Sequence, residues 1–245
     1  MEVSLIVDRP ASGSWNMAVD ETLLASTAQT GSATLRFYAW AEPTVSLGYF
    51  QNYQSGDAHA ASRVCPRLRR PTGGGAIVHD CELTYALAVP TSESRRLDAS
   101  THWYRAMHRA LIRALERIGI PAEEVSQSEP SRPTSYLCFQ RRSIGDVVVQ
   151  GQKICGSAQR RTAGALLQHG SLLLGRSAHA PELAGLGDLA GSPMAAPDVQ
   201  QRWCLELSAA AGFDFVPGPL SESELAQAQT TATNRFASPA WNQKR

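Results

Sequence analysis

A run of three glycines lies between an arginine pair and a short apolar segment, in the stretch RRPTGGGAIVHD at residues 69–80. Glycine has no Cβ, so it tolerates positive φ and lets a ligand lie directly against the backbone. Successive N–H groups can then bind an anionic or carbonyl oxygen, and Arg69 or Arg70 can neutralise a phosphate. The run therefore predicts a binding loop lined by backbone, with a glycine-rich surface turn as the alternative.

The composition excludes several classes of protein. A chain of 245 residues fits one large domain or two small ones, and 43% hydrophobic residues suffice for a sizeable core. A formal charge of +1 gives no reason to expect binding to nucleic acid or to an anionic membrane. The five cysteines include no CxxC pair, and the N-terminus has no basic segment followed by a long apolar one. We therefore expect a cytoplasmic protein without a disulfide framework or a metal site.

The apolar periodicity predicts strands early in the chain and one long helix after them. Residues 3–7 resemble a strand, and residues 15–24 an amphipathic helix with Ser14 as its N-cap. The β-rich runs 35–40 and 44–50 are separated by Glu42-Pro43, which favours a hairpin-like pair. Residues 82–89 alternate as a strand, and residues 99–118 have helical spacing.

The second half of the sequence predicts a compact β unit followed by helices. Residues 121–135, rich in Ser, Pro and Glu, are expected to form a mobile loop. Residues 147–150 and 153–159 favour a hairpin with Gly151 at the first turn position, and a further strand follows the turn at 161–164. The element order predicts an α+β fold, with a mixed, largely antiparallel sheet and flanking helices.

Four motifs in this order resemble those of the lipoate–protein ligase and octanoyltransferase superfamily, relatives of biotin–protein ligases. They are NMAxDExLL from residue 16, LRFYxWxxPTxSLGYFQ from 35, RRxTGGGAxxHD from 69 and GxKIxGSAQxR…HGSxLL from 151. The resemblance implies the biotin/lipoate–protein ligase catalytic-domain fold as a single domain over residues 1–245. The roughly seventy residues after Leu174 resemble that domain's own helices, so we expect no accessory C-terminal domain.

Lys153 and Cys138 are the candidate catalytic residues. A lysine that begins a hairpin strand is ordinarily solvated, but in the family the lysine of this motif contacts the reacting acyl group. Alternation places residues 153, 155, 157 and 159 on one face of the strand, and the small Gly156 and Ala158 on the other. Cys138, in the pair CF fifteen residues before Lys153, could be a small core residue. It resembles the cysteine that forms the acyl thioester in octanoyltransferases of Gram-positive bacteria.

Other motif residues are expected to line the substrate site. The glycine loop contributes Arg70, Gly73, Gly74, Gly75 and His79, and the later motif contributes the residues Gly156, Ser157, Ala158 and His169. We assign both histidines to the lining of the site rather than to general-base catalysis. Cys155 is interpreted as packing, and residues 80–82 are rejected as a metal cluster because neighbours on a strand point to opposite faces.

Three functions remain open at this point. The first is an acyltransferase that moves octanoyl (or lipoyl) from octanoyl-acyl carrier protein through Cys138 to a lysine of a lipoyl domain, without a cofactor. The acceptors would be lipoyl domains of 2-oxoacid dehydrogenases or the glycine-cleavage H protein. The second is a lipoate–protein ligase that uses free lipoate, ATP and Mg through lipoyl-AMP, and the third is a non-catalytic lipoyl-domain binding protein. Gly75 is ligase-like, since transferases of the cysteine type often have arginine there, whereas the segment ELTY at 82–85 is transferase-like.

Overall fold

The described residues form one large sheet and one small sheet. The computed structural model describes residues 1–91, 96–127 and 136–245, with the backbone alone for residues 96–100. The large sheet has eight strands in the order β11-β1-β2-β6-β10-β9-β8-β7. In chain order, these strands are β1 (Glu2–Val7), β2 (Ala33–Tyr38), β6 (Glu82–Pro90), β7 (Glu123–Glu124), β8 (Val147–Val149), β9 (Gln152–Thr162), β10 (Ala165–Leu173) and β11 (Asp214–Pro217).

Pairing in the large sheet is mixed and largely antiparallel, which confirms the predicted fold class. Strand β1 pairs in parallel with β11 and with β2. The pairs from β2 through β6, β10, β9 and β8 to β7 are antiparallel. Strand β11 and the short β7 were not predicted, and β7 lies within the segment 121–135 that we expected to form a loop. Residues 128–135 of that segment lie outside the described residues.

The small sheet carries the glycine loop. It consists of β4 (Arg67–Arg69), β3 (Thr44–Leu47) and β5 (Ile77–His79), in that order. The predicted hairpin between the runs 35–40 and 44–50 is wrong, because β2 and β3 belong to different sheets. After Tyr38 the chain bridges from Trp40 to Ala11 instead of turning back, and β3 then pairs with β4 and β5.

Helices cover both faces of the large sheet. They are α1 (Gly13–Thr30), α2 (Arg96–Glu116), α3 (Leu186–Ala190), α4 (Ala196–Ala211), α5 (Glu222–Thr231) and α6 (Pro239–Asn242). Residues of α1 and α5 pack in one core, and residues of α2 and α4 in the other, where Trp203 lies against Phe37 and Tyr85. The α1 N-cap is Ser12 rather than the predicted Ser14, because the Ser12 side chain accepts the Trp15 N–H and Ser14 is already helical.

The hairpin of β8 and β9 positions the predicted lysine, but differently from the prediction. Gln150 and Gly151 both have positive φ, so glycine holds the second turn position rather than the first. A β-bulge adds one residue to β9, since Val148 pairs with Lys153 but Val147 pairs with Cys155. Ile154 and Cys155 therefore both lie in the α2-side core. The prediction that residues 153 and 155 share a face is wrong for this reason.

The segment that carries Cys138 is fixed to the glycine loop by its backbone. The Ala76 N–H donates to the Tyr136 carbonyl over 3.0 Å, and the Cys138 N–H donates to the Ala76 carbonyl over 2.7 Å. The same region has a small hydrophobic core, separate from the two cores of the large sheet. This small core includes Val45, Val78 and Leu137. Among the described residues, no helix is both long and apolar enough to cross a bilayer.

Candidate active site

One cavity of about 360 Å³ lies between the glycine loop, the Cys138 segment and strands β9 and β10. Except for Gly75, every site residue predicted from the sequence lines it. These residues are Arg70, Gly73, Gly74, His79, Cys138, Lys153, Gly156, Ser157, Ala158 and His169. Gly75 lies directly behind the Cys138 segment, where an added Cβ would approach the Cys138 Cα to 3.1 Å and an Arg141 guanidinium nitrogen to 3.0 Å. A side chain at position 75 would therefore have to displace the Cys138 segment or Arg141 slightly.

Cys138 and Lys153 meet in this cavity. Cys138 begins a short 3-10 turn, Cys138–Gln140, and the Lys153 Nζ lies 3.9 Å from its Sγ. Lys153 is 7% exposed, with its Nζ 5.3 Å from the centre of the Phe139 ring. Burial alone would lower the pKa of the Lys153 ammonium, but the interactions with Cys138 and Asp146 outweigh burial and raise the pKa. The lysine is thus held as a cation beside the thiol.

Asp146 completes this cluster and was missed by the sequence analysis. Its Oδ2 lies 2.8 Å from the Lys153 Nζ, and both side chains are buried. A Cβ on Gly156 would come within 2.5 Å of the Lys153 Cε and 3.1 Å of the Asp146 Oδ1, so a larger residue here would displace the lysine side chain. No local sequence signal locates Asp146, because it immediately precedes β8 and the β-bulge sets the register that brings it next to Lys153 and Gly156 of β9.

Both arginines of the loop motif donate to backbone carbonyls. Arg70 Nη2 donates to Gly73 O and Gly75 O, each over 2.7 Å, and Arg70 Nη1 donates to Ser46 O over 2.9 Å. Arg69 donates to carbonyls of residues 48, 49, 51 and 242. Burial lowers the pKa of Arg70 to about 10. These contacts occupy both Nη atoms of Arg70 and shape the loop, and the predicted phosphate contact stays a prediction.

Each predicted histidine lies between a carboxylate and a hydroxyl. The His169 ring bonds Asp20 through Nδ1 over 3.0 Å and Thr72 through Nε2 over 2.7 Å. The His79 ring bonds Glu82 through Nδ1 over 2.6 Å and Ser46 through Nε2 over 2.7 Å. In each case a carboxylate oxygen accepts from the Nδ1–H, and Nε2 bonds the hydroxyl. Both ring nitrogens of each histidine are occupied.

The carboxylates of these histidine clusters are themselves fixed. Asp20 on α1 also bonds Arg36 over 2.9 Å and accepts the Tyr38 hydroxyl over 2.8 Å. Glu82 accepts the Ser171 hydroxyl over 3.1 Å. Within the described residues, no three His, Cys, Asp or Glu side chains are arranged to hold a metal ion.

Comparison with known proteins gives one family and a consistent set of relatives. The model of the lipoyl protein ligase A/B catalytic domain matches residues 12–181. An octanoyltransferase LipM of Kyrpidia tusciae is 34% identical over 263 residues, which cover 96% of this chain and 96% of the relative. The octanoyltransferase LipM of Brevibacillus brevis is 29% identical, and the match covers 98% of each chain.

Solved structures share the fold at lower identity. A lipoate-protein ligase A bound with ATP superposes with a TM-score of 0.79 at 22% identity, over 99% of each chain. A bi-partite lipoate protein ligase from Thermoplasma acidophilum superposes with a TM-score of 0.73 at 21% identity, over 99% of this chain and 96% of that chain. At this identity the likeness concerns the fold alone.

Proposed function

Because the chain belongs to the lipoyl protein ligase A/B catalytic domain family, we propose that it is an octanoyltransferase of protein lipoylation. The relatives named octanoyltransferase LipM support this, since they match almost the whole chain. The donor is octanoyl-acyl carrier protein, and the acceptor is a lysine of a lipoyl domain, either of a 2-oxoacid dehydrogenase or of the glycine-cleavage H protein. A cytoplasmic location and a single catalytic domain over residues 1–245 belong to the same proposal.

The observation that carries the proposal is the Cys138–Lys153 pair in the cavity, with Nζ 3.9 Å from Sγ. The Cys138 thiolate attacks the thioester carbonyl of the donor, and the Lys153 ammonium stabilises the oxyanion that forms. Collapse breaks the carbon–sulfur bond to the carrier, whose thiolate leaves and takes up a proton. Octanoyl then remains on Cys138 as a thioester of similar energy.

The second half-reaction returns the thiol. The neutral amine of the acceptor lysine attacks the Cys138 thioester, the amide forms, and the Cys138 thiolate leaves. The proton lost by the amine restores the thiol or passes to solvent, so that no redox partner or nucleotide is required. A cavity of about 360 Å³ is in the size range of sites that enclose small ligands, and Gly156 and Ala158 line it for an acyl chain.

The alternative is an ATP-dependent lipoate–protein ligase, which would use free lipoate, ATP and Mg. The fold shared with an ATP-bound lipoate-protein ligase favours it, as does the glycine at position 75. The contacts favour the transferase instead, since the Arg70 Nη atoms donate to loop carbonyls and the Asp146 carboxylate bonds Lys153. A nucleotide phosphate would have to compete with these partners.

Intact mass spectrometry with and without ATP separates the two enzymes. The protein is incubated with octanoyl-acyl carrier protein, and any acylated site is mapped by peptide sequencing. We expect one octanoyl group on Cys138 in the absence of ATP, and its transfer to an added lipoyl domain. In a parallel incubation with free lipoate, acylation of the lipoyl domain that requires ATP and Mg, with no octanoyl on Cys138, would replace the transferase by the ligase.

A further inference from the structure

The Lys153 ammonium is held between two groups of opposite role. On one side lies the Cys138 Sγ at 3.9 Å, and on the other the Asp146 Oδ2 at 2.8 Å. Taking the proposed octanoyl transfer as its basis, we propose that Asp146 is the positioning residue of this reaction. Fixed by Tyr104 and His108 of α2, it holds the Lys153 ammonium beside the thiol and keeps it charged throughout turnover.

The carboxylate of Asp146 is itself held on both oxygens. Oδ1 accepts the Tyr104 hydroxyl over 3.1 Å, and Oδ2 accepts the Ser143 N–H over 2.7 Å. The Asp146 side chain is 2% exposed. These donors fix the position of the buried Asp146 carboxylate. The carboxylate in turn fixes the position of the Lys153 ammonium that it binds.

Helix α2 fixes the turn that presents Asp146. Tyr104 and His108 are one helical turn apart and therefore lie on the same face of α2. The His108 Nδ1–H donates to the Gly145 carbonyl, and Gly145 has a φ of +90°. An added Cβ on Gly145 would meet the Tyr104 ring at 2.7 Å. The residue before Asp146 is thus a glycine because the tyrosine packs directly against it.

A lysine in this place needs such a partner. Its ammonium ends a flexible four-carbon chain, and burial favours the neutral amine. The ionisable groups that face it are Cys138, Asp146, Tyr104, His108 and Cys155, on four separate segments. Of these, Asp146 is the carboxylate in direct contact with the ammonium. Without it, the ammonium loses both its charge partner and its anchor.

The test is Asp146→Asn in the full chain, with Tyr104→Phe as a milder variant and Asp57→Asn as the control. Asp57 also pairs with a basic side chain, Arg67, but is exposed and outside the cavity. We expect Asp146→Asn to lower kcat/KM for octanoyl transfer by about 10-fold or more. The alkaline limb of the pH profile should move to lower pH, because removing the carboxylate lowers the pKa of Lys153. Tyr104→Phe should move the alkaline limb to lower pH by a smaller amount than Asp146→Asn does. Asp57→Asn should leave the alkaline limb where it is in the wild type.

A second readout does not depend on turnover. The pH dependence of Lys153 acetylation by acetic anhydride, measured by peptide mass spectrometry, reports the protonation of this amine directly. We expect the labelling curve of Asp146→Asn to move to lower pH. The positioning role is wrong if the wild-type enzyme transfers octanoyl but both curves stay in place in Asp146→Asn and in Tyr104→Phe. The two curves are the alkaline limb of the pH profile and the pH dependence of Lys153 labelling. If the labelling curve moves but the wild-type protein transfers no octanoyl, the positioning of Lys153 stands and the proposed function fails. Should Asp146→Asn not fold, the same decision rests on Tyr104→Phe.

Discussion

Two kinds of buried polar cluster meet at the cavity, and they differ in where their hydrogen bonds end. In the two histidine clusters, a carboxylate orients an imidazole, which bonds a hydroxyl of Thr72 or Ser46 beside the glycine loop. In the lysine cluster, made of Asp146, Lys153 and Cys138, the series ends on a thiol that lines the cavity. The histidine clusters end on side-chain hydroxyls, whereas the lysine cluster places a thiol, the proposed nucleophile, at the cavity.

The comparison shows that a triad's composition alone does not identify a nucleophile. Asp20–His169–Thr72 has the acid, base and hydroxyl of a hydrolase triad. However, Thr72 is 2% exposed, and the hydroxyl of Ser46 in the other cluster also accepts a bond from Arg70 over 3.2 Å. Half-buried Cys138, by contrast, presents a sulfur atom next to a fixed cation. Access and the adjacent charge distinguish Cys138, the proposed nucleophile, from these two hydroxyls.

The largest expected effect is that of Cys138→Ala. If the lysine cluster carries the chemistry, octanoyl transfer to a lipoyl domain should fall below detection, because the thioester cannot form. Cys155→Ala is the matched control, since Cys155 is fully buried in the core and burial raises the pKa of its thiol. The assay is mass spectrometry of the acceptor domain. If Cys138→Ala transferred octanoyl as fast as the wild type, the lysine cluster would not supply the nucleophile, and the distinction from the histidine clusters would fail.

The next effect is that of Lys153→Arg, with an expected loss of about 10²-fold in kcat/KM, as for the removal of an oxyanion donor. The charge is kept, but a wide planar guanidinium replaces a compact ammonium where Gly156 already lies in close contact. Lys153→Ala should lose at least as much activity. It should also destabilise the fold by roughly 3 kcal/mol, because Asp146 is left buried without its charge partner. Near wild-type turnover in either variant would contradict the assignment.

The sequence predicted the proposed catalytic pair and the sheet for different reasons. Periodicity in residues 82–89 and in the later hairpin was enough for β6, β9 and the antiparallel class of the sheet. The motifs supplied Cys138 and Lys153, and the family resemblance is confirmed. Asp146 could not be found from a motif, since its role depends on the β8–β9 register and on α2 packing over it. The β-bulge that turns Cys155 into the core has no local signature either.

A smaller effect on activity should follow from a change in a histidine cluster. Thr72→Val removes the hydroxyl that bonds the His169 Nε2 and leaves a buried ring nitrogen without its partner, at a cost of about 1–3 kcal/mol in stability. We expect transfer to fall only about fivefold, through a less ordered glycine loop. Chemical denaturation and steady-state kinetics on the same preparation test this order of effects. A variant with unchanged stability but no activity would make Thr72 part of the reaction.

The smallest effect concerns His108, a third histidine, which is oriented by a carbonyl rather than a carboxylate. It donates to Gly145 and bonds the Ser157 hydroxyl over 2.7 Å, and it is fully buried. Burial lowers the pKa of His108, although the Gly145 carbonyl and Asp146 partly oppose this shift. Because the folded pKa lies below the unfolded value of about 6.5, the unfolded chain binds the proton more readily. The stability due to neutral His108 is therefore complete above that value and is lost as the pH falls through the folded pKa.

In His108→Gln, the free energy of unfolding should depend less steeply on pH between about 7 and 5 than in the wild type, by up to about 1.4 kcal/mol per pH unit. Denaturant titrations across this range measure the slope, and the other histidines cancel in the difference. Equal slopes would mean that His108 is not held neutral in the folded protein.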